Sequence, residues 1–255
     1  MNLSATGLRV LVTAGAAGIG RAIAQTFVDN DARVHVCDVD ERALAALPAK
    51  ITKSRADVAN LMDVDRLFDD VRRELGGLDV LVNNAGIAGP TAKVEDIKPE
   101  DWDRCLAVDL NGMFYCTRKA MPMIKASGGG AIVNLSSAAG LHGFPQRSPY
   151  CAAKWGVVGF TKSLSVEAGP DKVRVNCICP GIVEGDRMDR VVAAKAKASG
   201  VSFEAFREKF LETTSMRSTV SAQEIADMAL YLASHAGRHI TGQALAVDAG
   251  TTHLV

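Results

Sequence analysis

Residues 8–12 (LRVLV) run straight into Thr13-Ala14-Gly15-Ala16-Ala17-Gly18-Ile19-Gly20, after which Ile23, Ala24, Phe27 and Val28 recur at helical spacing. A short, almost fully apolar run is what a strand covered on both faces of a parallel sheet requires. Small residues in the turn let the backbone approach a ligand closely, and free N–H groups at the start of the helix attract negative charge. Strand, glycine-rich turn and helix in this order point to a pyrophosphate site.

Strand-like runs recur at residues 33–37, 51–56, 78–82, 131–135, 173–178 and 242–250, with amphipathic helical patterns between them. That alternation predicts an α/β fold with a parallel sheet. With 255 residues and 48% hydrophobic content, residues 1–255 can bury one core as a single domain. Asp38 directly follows the second apolar run, about 20 residues past the glycines, where a carboxylate binds a ribose hydroxyl. Its charge repels a 2'-phosphate, and the glycine loop carries no Lys or Arg to offset that, so NAD is expected over NADP. Asn83-Asn84-Ala85-Gly86 closes the run at 78–82, at the end of a strand where open α/β sheets bind ligands.

Residues 137–154 hold the chemistry. Ser137 follows an apolar run, and Ser148, Pro149 and Tyr150 open a helix with Ser148 as the expected N-cap. Tyr150 and Lys154 then lie one turn apart on one face. A phenol titrates near ~10 in water, so proton exchange near neutral pH needs a neighbouring cation that favours the phenolate. Lys154 can be that cation, and Ser137 can hold the same substrate oxygen.

Taken together, the loop at 13–20, Asp57, the NNAG at 83–86, Ser137, Tyr150, Lys154 and Pro180-Gly181 follow the order and spacing of the short-chain dehydrogenase/reductase family, which the chain resembles over nearly its whole length. The resemblance implies a doubly wound, Rossmann-type sheet of about seven strands, a nicotinamide cofactor and Tyr150 as the acid/base. It implies that Gly15, Gly18 and Gly20 form the cofactor loop, with Ile19 beneath the nicotinamide ribose. Asp38 would bind the adenosine ribose, and Asp57 and Val58 would flank the adenine. Asn84, Ala85 and Gly86 would contact the cofactor, Lys154 would also hold the nicotinamide ribose, and Pro180, Gly181 and Val183 would line the nicotinamide pocket.

Three positions depart from that pattern. The first loop glycine is Ala14, which is expected to need a negative φ. A threonine common after the Pro-Gly pair is Gly185. The helix position that carries a catalytic Asn in the family is Asp109, and Asn111 would point about 200° away around a helix. Asp109 is expected to support the proton relay, mainly through its backbone carbonyl.

Residues 184–219 resemble two amphipathic helices joined at Ser199-Gly200 and are expected to form a lid over the ligand. His142, Arg147 and Arg187, with Arg190 and Arg217, are candidates for facing it, which would favour a polar or anionic substrate such as a sugar acid or hydroxy acid. The expected reaction is reversible hydride transfer between NAD and a secondary alcohol. An NADPH-linked 3-oxoacyl or carbonyl reductase and a non-catalytic dinucleotide-binding regulatory protein are the alternatives.

Acidic and basic residues balance at 29 each, with no Lys/Arg-rich run, so nucleic acid is not an expected partner. The six cysteines stand at no metal-ligand spacing; they are expected to be core residues in a reducing compartment, with no metal site. The opening MNLSATG lacks the layout of a signal peptide, and no apolar run approaches the ~18 residues of a membrane helix. A cytoplasmic protein is expected. The apolar helices at 101–125 and 149–168 suggest, by the same resemblance, a homotetramer.

Overall fold

The computed structural model describes residues 3–255; Met1 and Asn2, which open the MNLSATG stretch, lie outside them. The strands are β1 (Arg9–Thr13), β2 (Arg33–Asp38), β3 (Thr52–Arg55), β4 (Val80–Asn83), β5 (Gly130–Leu135), β6 (Val173–Pro180) and β7 (Ala244–Val247). They form one seven-stranded sheet in the order β3-β2-β1-β4-β5-β6-β7, with every neighbouring pair parallel. The helices are α1 (Gly18–Asp29), α2 (Glu41–Ala45), α3 (Leu61–Leu75), α4 (Pro99–Leu106), α5 (Gly112–Ala126), α6 (Ser148–Ala168), α7 (Asp186–Ser199), α8 (Phe203–Glu212) and α9 (Ala222–Ala233). This is the parallel sheet read from the alternation of elements, in the doubly wound form that the family resemblance implies. Its strand order reverses between β1 and β4, which opens a crevice at the carboxyl ends of the strands.

The central strands divide their side chains between two cores. Val10, Val12, Val80, Val82 and Val133 point to one face, where Phe27 of α1 and Ile225 and Leu232 of α9 cover them. Leu11, Leu81 and Ile132 point to the other, against Phe68 of α3 and Cys116 and Ile124 of α5. With both faces covered, alternate residues of a strand are all apolar, and this is why β1 and β4 read as continuous hydrophobic runs.

Several local features differ from the sequence reading, each for a physical reason. The helix expected over 101–125 is α4 and α5 joined by a π-helical segment, Ala107–Asn111. α6 begins at Ser148 itself; Arg147 is its N-cap residue, and the Ser148 hydroxyl caps nothing and has no partner. β6 runs on to Pro180, whose missing N–H costs nothing at the end of a strand. α2, five residues long with only Leu44 buried, shows no periodicity and is set by its cap: Asp40 accepts from the amides of Arg42 and Ala43. Ala14 adopts φ 48°, not the negative value expected. A Cβ in the left-handed region costs roughly 1–2 kcal/mol, and the carbonyl of Ala14 is held there by the Asn84 side-chain amide at 3.0 Å.

His35 is fully buried in β2 between two hydroxyls, with Nδ1 2.8 Å from Thr52 Oγ1 and Nε2 3.0 Å from Ser54 Oγ. Burial lowers its pKa to about 4, against the opposing pull of Asp70. An unfolded histidine titrates near ~6.5, so the unfolded chain binds an extra proton between the two values and stability falls on acidification. Urea midpoints should be level above about pH 7 and fall between pH 6.5 and 4, and His35→Asn should flatten that slope. Ala14→Gly should raise the unfolding free energy by about 1 kcal/mol in the same assay, because glycine takes φ 48° without strain.

Candidate active site

The crevice above β1 and β4 is built by backbone approach. A Cβ on Gly20 would fall 2.1 Å from the carbonyl oxygen of Ala14, and one on Gly15 2.7 Å from Val36 Cγ1, so only glycine closes this turn. Ala17, the N-cap residue of α1, makes no side-chain cap, which leaves the first amides of that helix available to an anion. Asn84 seals the turn from the β4 side: its amide nitrogen donates to the carbonyls of Thr13 and Ala14, each at 3.0 Å. Thr13 Oγ1 accepts from the backbone N–H groups of Asn84 and Ala85, both at 3.0 Å. Thr13 was not singled out by sequence; its position as the last residue of β1, one step before the loop, is the signal.

Asp38 ends β2 and accepts from the amide of Ala16 at 3.1 Å, so its carboxylate lies beside the glycine turn. Asp57 accepts from Ala59 N–H at 2.9 Å and pairs with Arg104 at 3.0 Å, while Val58 packs against Gly112. Gly181 donates to Val247 at 3.0 Å, fixing the Pro180-Gly181 turn over β7, and Val183 bridges to Val220. A narrow glycine cradle, an uncapped helix start and a carboxylate at the end of β2 fit a dinucleotide. Gly185 has φ 123°, a conformation that threonine rarely adopts, which accounts for glycine at that position.

The candidate reactive groups gather beside this crevice. Ser137, half-buried at the end of β5, accepts from Ala139 N–H at 3.1 Å. Tyr150 and Lys154 lie one turn apart in the first half of α6, with the Lys154 ammonium 5.5 Å from the centre of the Tyr150 ring. Lys154 is buried, and its Nζ donates to the carbonyl of Leu135 at 3.0 Å. Asp109, fully buried in the π-helical segment, faces it: Oδ2 is 3.7 Å from Lys154 Nζ, and Oδ1 accepts from Ile87 N–H at 2.6 Å. These contacts run through the carboxylate, where the sequence reading gave the main part to the backbone carbonyl. A Cβ on Gly86 would sit 3.3 Å from Lys154 Nζ and 3.4 Å from both Asp109 oxygens, so the NNAG turn closes directly over the pair.

Beyond Tyr150, a cavity of about 360 Å³ is lined by residues 86–89, Thr91, Arg147, Arg187, Arg190, Val191 and Ala194. Arg147 and Arg187, expected at the substrate site, both line it, and so does Arg190; His142 does not. α7 and α8 follow β6 as the two expected helices, joined at Gly200 with φ 68°. Arg187 at the start of α7 donates to the Gly86 carbonyl at 3.1 Å and so bridges the mouth of the cavity. Among the described residues no cluster of three His, Cys, Asp or Glu is placed to hold a metal. None of their helices is long and apolar enough to cross a membrane.

Comparison with known proteins agrees with this geometry. Residues 14–252 match the family described as enoyl-(acyl carrier protein) reductase. The chain is 35% identical to a D-beta-hydroxybutyrate dehydrogenase of Cupriavidus necator, covering 96% of this chain and 97% of that protein. It is 34% identical to a 3-oxoacyl-[acyl-carrier-protein] reductase of Chlamydia muridarum, with 98% and 99% covered. The crystal structure of a levodione reductase superimposes with a TM-score of 0.90 at 27% identity, over 96% of this chain and 97% of that one. A Rossmann-type sheet, a glycine cradle and the Ser137, Tyr150 and Lys154 set at its carboxyl edge, matched over almost the full length, make this chain a member of the short-chain dehydrogenase/reductase family.

Proposed function

We propose that the protein catalyses reversible hydride transfer between NAD and a small polar or anionic secondary alcohol, or the corresponding ketone. The observation that carries this reading is the buried Lys154 ammonium 5.5 Å from the Tyr150 ring, at the mouth of the glycine-lined crevice. A bound nicotinamide supplies the hydride acceptor. In the oxidative direction Tyr150 takes the hydroxyl proton, Ser137 donates a hydrogen bond to the same oxygen, and the Lys154 charge favours the phenolate. Gly15, Gly18, Gly20 and the first amides of α1 hold the pyrophosphate, with Ile19, Asn84, Ala85, Gly86, Pro180, Gly181 and Val183 around the nicotinamide half. Asp57 and Val58 flank the adenine.

Asp38 supports NAD over NADP, because a 2'-phosphate would be brought against a carboxylate that already closes on Ala16 N–H. The same charge disfavours an NADPH-linked carbonyl reductase. A purely regulatory dinucleotide-binding protein would not need Ser137, Tyr150 and Lys154 assembled at one edge of the sheet. Residues 184–219 act as the lid. Phe114 and Trp155 are half-exposed, and an apolar groove lined by Met121, Pro122, Phe160 and Leu164 runs between α5 and α6, which supports a homotetramer packed through these helices. Six free cysteines support a reducing, cytoplasmic setting.

NADH absorbance followed with NAD, or NADP, and a panel of secondary alcohols tests the reading. Turnover should favour NAD, and Tyr150→Phe should lower kcat by about 1,000-fold or more while NAD binding stays within about twofold. Asp109 holds Lys154 in place and offsets its charge at Tyr150. Asp109→Asn should therefore alter the pH–rate profile of oxidation; an unchanged profile would remove Asp109 from the proton relay.

A further inference from the structure

Arg147 is anomalous. Its side chain is only 2% exposed as a residue, yet it makes no ion pair. One Nη donates to the Ala88 carbonyl at 2.6 Å, and Nε is buried with no partner at all. A guanidinium carries five N–H donors and stays charged, so burying it against a single carbonyl leaves most of its cost unmet. Its Cζ lies over the rings of Phe144, at 5.3 Å, and Tyr150, at 5.1 Å, which give it cation–π contact but no counter-charge. Arg187 Cζ at 5.8 Å and Lys154 Nζ at 5.5 Å lie over the same Tyr150 ring, so three cations converge on it.

Arg187 and Arg190 line the same cavity and form no ion pair either, although Asp186 and Asp189 share their helix. Lys195, five residues beyond Arg190 on α7, is a fourth cation on this side; it is satisfied by the Pro145 carbonyl at 2.8 Å and a Val255 oxygen at 2.5 Å and lies 4.2 Å over the Phe144 ring, so it offers Arg147 no counter-charge. Burial, and then Arg187, hold the Arg147 guanidinium below its ordinary range. No acidic side chain lines the cavity. A purely structural tie to Ala88 would need neither the charge nor the unused Nε.

We propose that Arg147 and Arg187 form a clamp for a substrate carboxylate beside Tyr150, with Arg190 at its rim, so that the substrate is a short 2- or 3-hydroxy acid. This deepens the secondary-alcohol reading and rests on it for the reaction, though not for the binding. The planar carboxylate supplies the counter-charge that the protein lacks and takes paired N–H donors from the fork of a guanidinium. Both arginines reach the faces of the Tyr150 ring, which places the anion one or two carbons from the reacting carbon. A cavity of about 360 Å³ suits an acid of a few carbons. Closure follows from the same contact, because Arg187 belongs to α7 and a bound anion draws that helix towards Arg147, the N-cap residue of α6.

Two measurements on the full-length protein with NAD test this. The first follows melting temperature with butyrate, butyramide or methyl phosphate, none of which can be oxidised at a carbinol. Butyrate should raise the melting temperature saturably, butyramide should not, and the butyrate response should vanish in Arg147→Met and in Arg187→Met. A response to butyramide equal to that of butyrate, or a larger one to methyl phosphate, overturns the carboxylate clamp. The second compares 2- and 3-hydroxy acids with their methyl esters as substrates. The acids should have kcat/KM about 10- to 100-fold higher, carried mainly by KM, and Arg187→Met should erase the difference without a matching fall for the esters. Equal turnover of acid and ester overturns the clamp but leaves the dehydrogenase reading standing. Butyrate binding that depends on Arg147 and Arg187, with no alcohol oxidised, does the reverse. Should Arg147→Met fail to fold, Arg147→Lys serves in its place: it keeps a charge but loses the fork, and should still weaken butyrate.

Discussion

The site depends on keeping one ammonium group charged where water does not reach it. Lys154 is 3% exposed, and an unpartnered ammonium at that depth would lose its proton or unravel its surroundings. Two partners hold it: the carbonyl of Leu135, left over at the end of β5, and the carboxylate of Asp109. The first comes from the sheet and the second from a helix. The π-helical segment at Ala107–Asn111 is what aims Asp109 inward, since an uninterrupted α-helix from Pro99 to Ala126 would carry its side chains past at a different angle. Gly86 completes the enclosure, because any side chain there would press on both charges.

That pairing changes what the neighbouring phenol experiences. With an amide at position 109 the field at Tyr150 would be that of a bare cation; with a carboxylate it is closer to that of an ion pair, and Arg147 and Arg187 then contribute a larger share of the positive potential around the ring. Asp109 and the two arginines can be understood as one arrangement. The carboxylate satisfies Lys154 and offsets its charge, and cations on the opposite side restore a positive field that a bound anion would in turn compensate.

Most of the fold was legible in sequence because burial on both faces of the sheet writes itself as uninterrupted apolar runs, and because glycine at 15, 18 and 20 has a steric meaning that substitution would violate. The ends of elements were less legible. Ser148 and Pro149 look like a cap and a first turn, yet the chain arrives from Arg147 one residue earlier in register, and nothing local distinguishes the two. α2 rests on a cap rather than on periodicity. Ala14 was read as needing a negative φ because sterics favour it; Asn84, seventy residues away, holds the turn in the other region, a tertiary constraint that no local pattern reveals. That Tyr150 and Lys154 come together on one face of α6 was legible from their spacing. The carboxylate contacts of Asp109 and the isolation of Arg147 were not, since each depends on what is absent or present across the fold.

The division of labour between the two halves of the site follows from how each is held. The dinucleotide side is fixed by backbone groups and by strands in the middle of the sheet, so its geometry tolerates little change: a Cβ at Gly20 already meets main chain at 2.1 Å. The cavity lined by Arg147, Arg187 and Arg190 is framed by α7 and α8, which pack on α6 and the 138–147 turn through Phe144, Phe206 and Phe210 rather than through the sheet. Side chains there can be exchanged without disturbing the parallel core, so on the reading proposed above substrate selectivity would be carried by this wall and hydride transfer by the strand ends. Were an anion to meet Arg147 in that cavity, it would also compete with the Gly86 carbonyl for the guanidinium of Arg187, so that specificity and closure would be coupled through one contact.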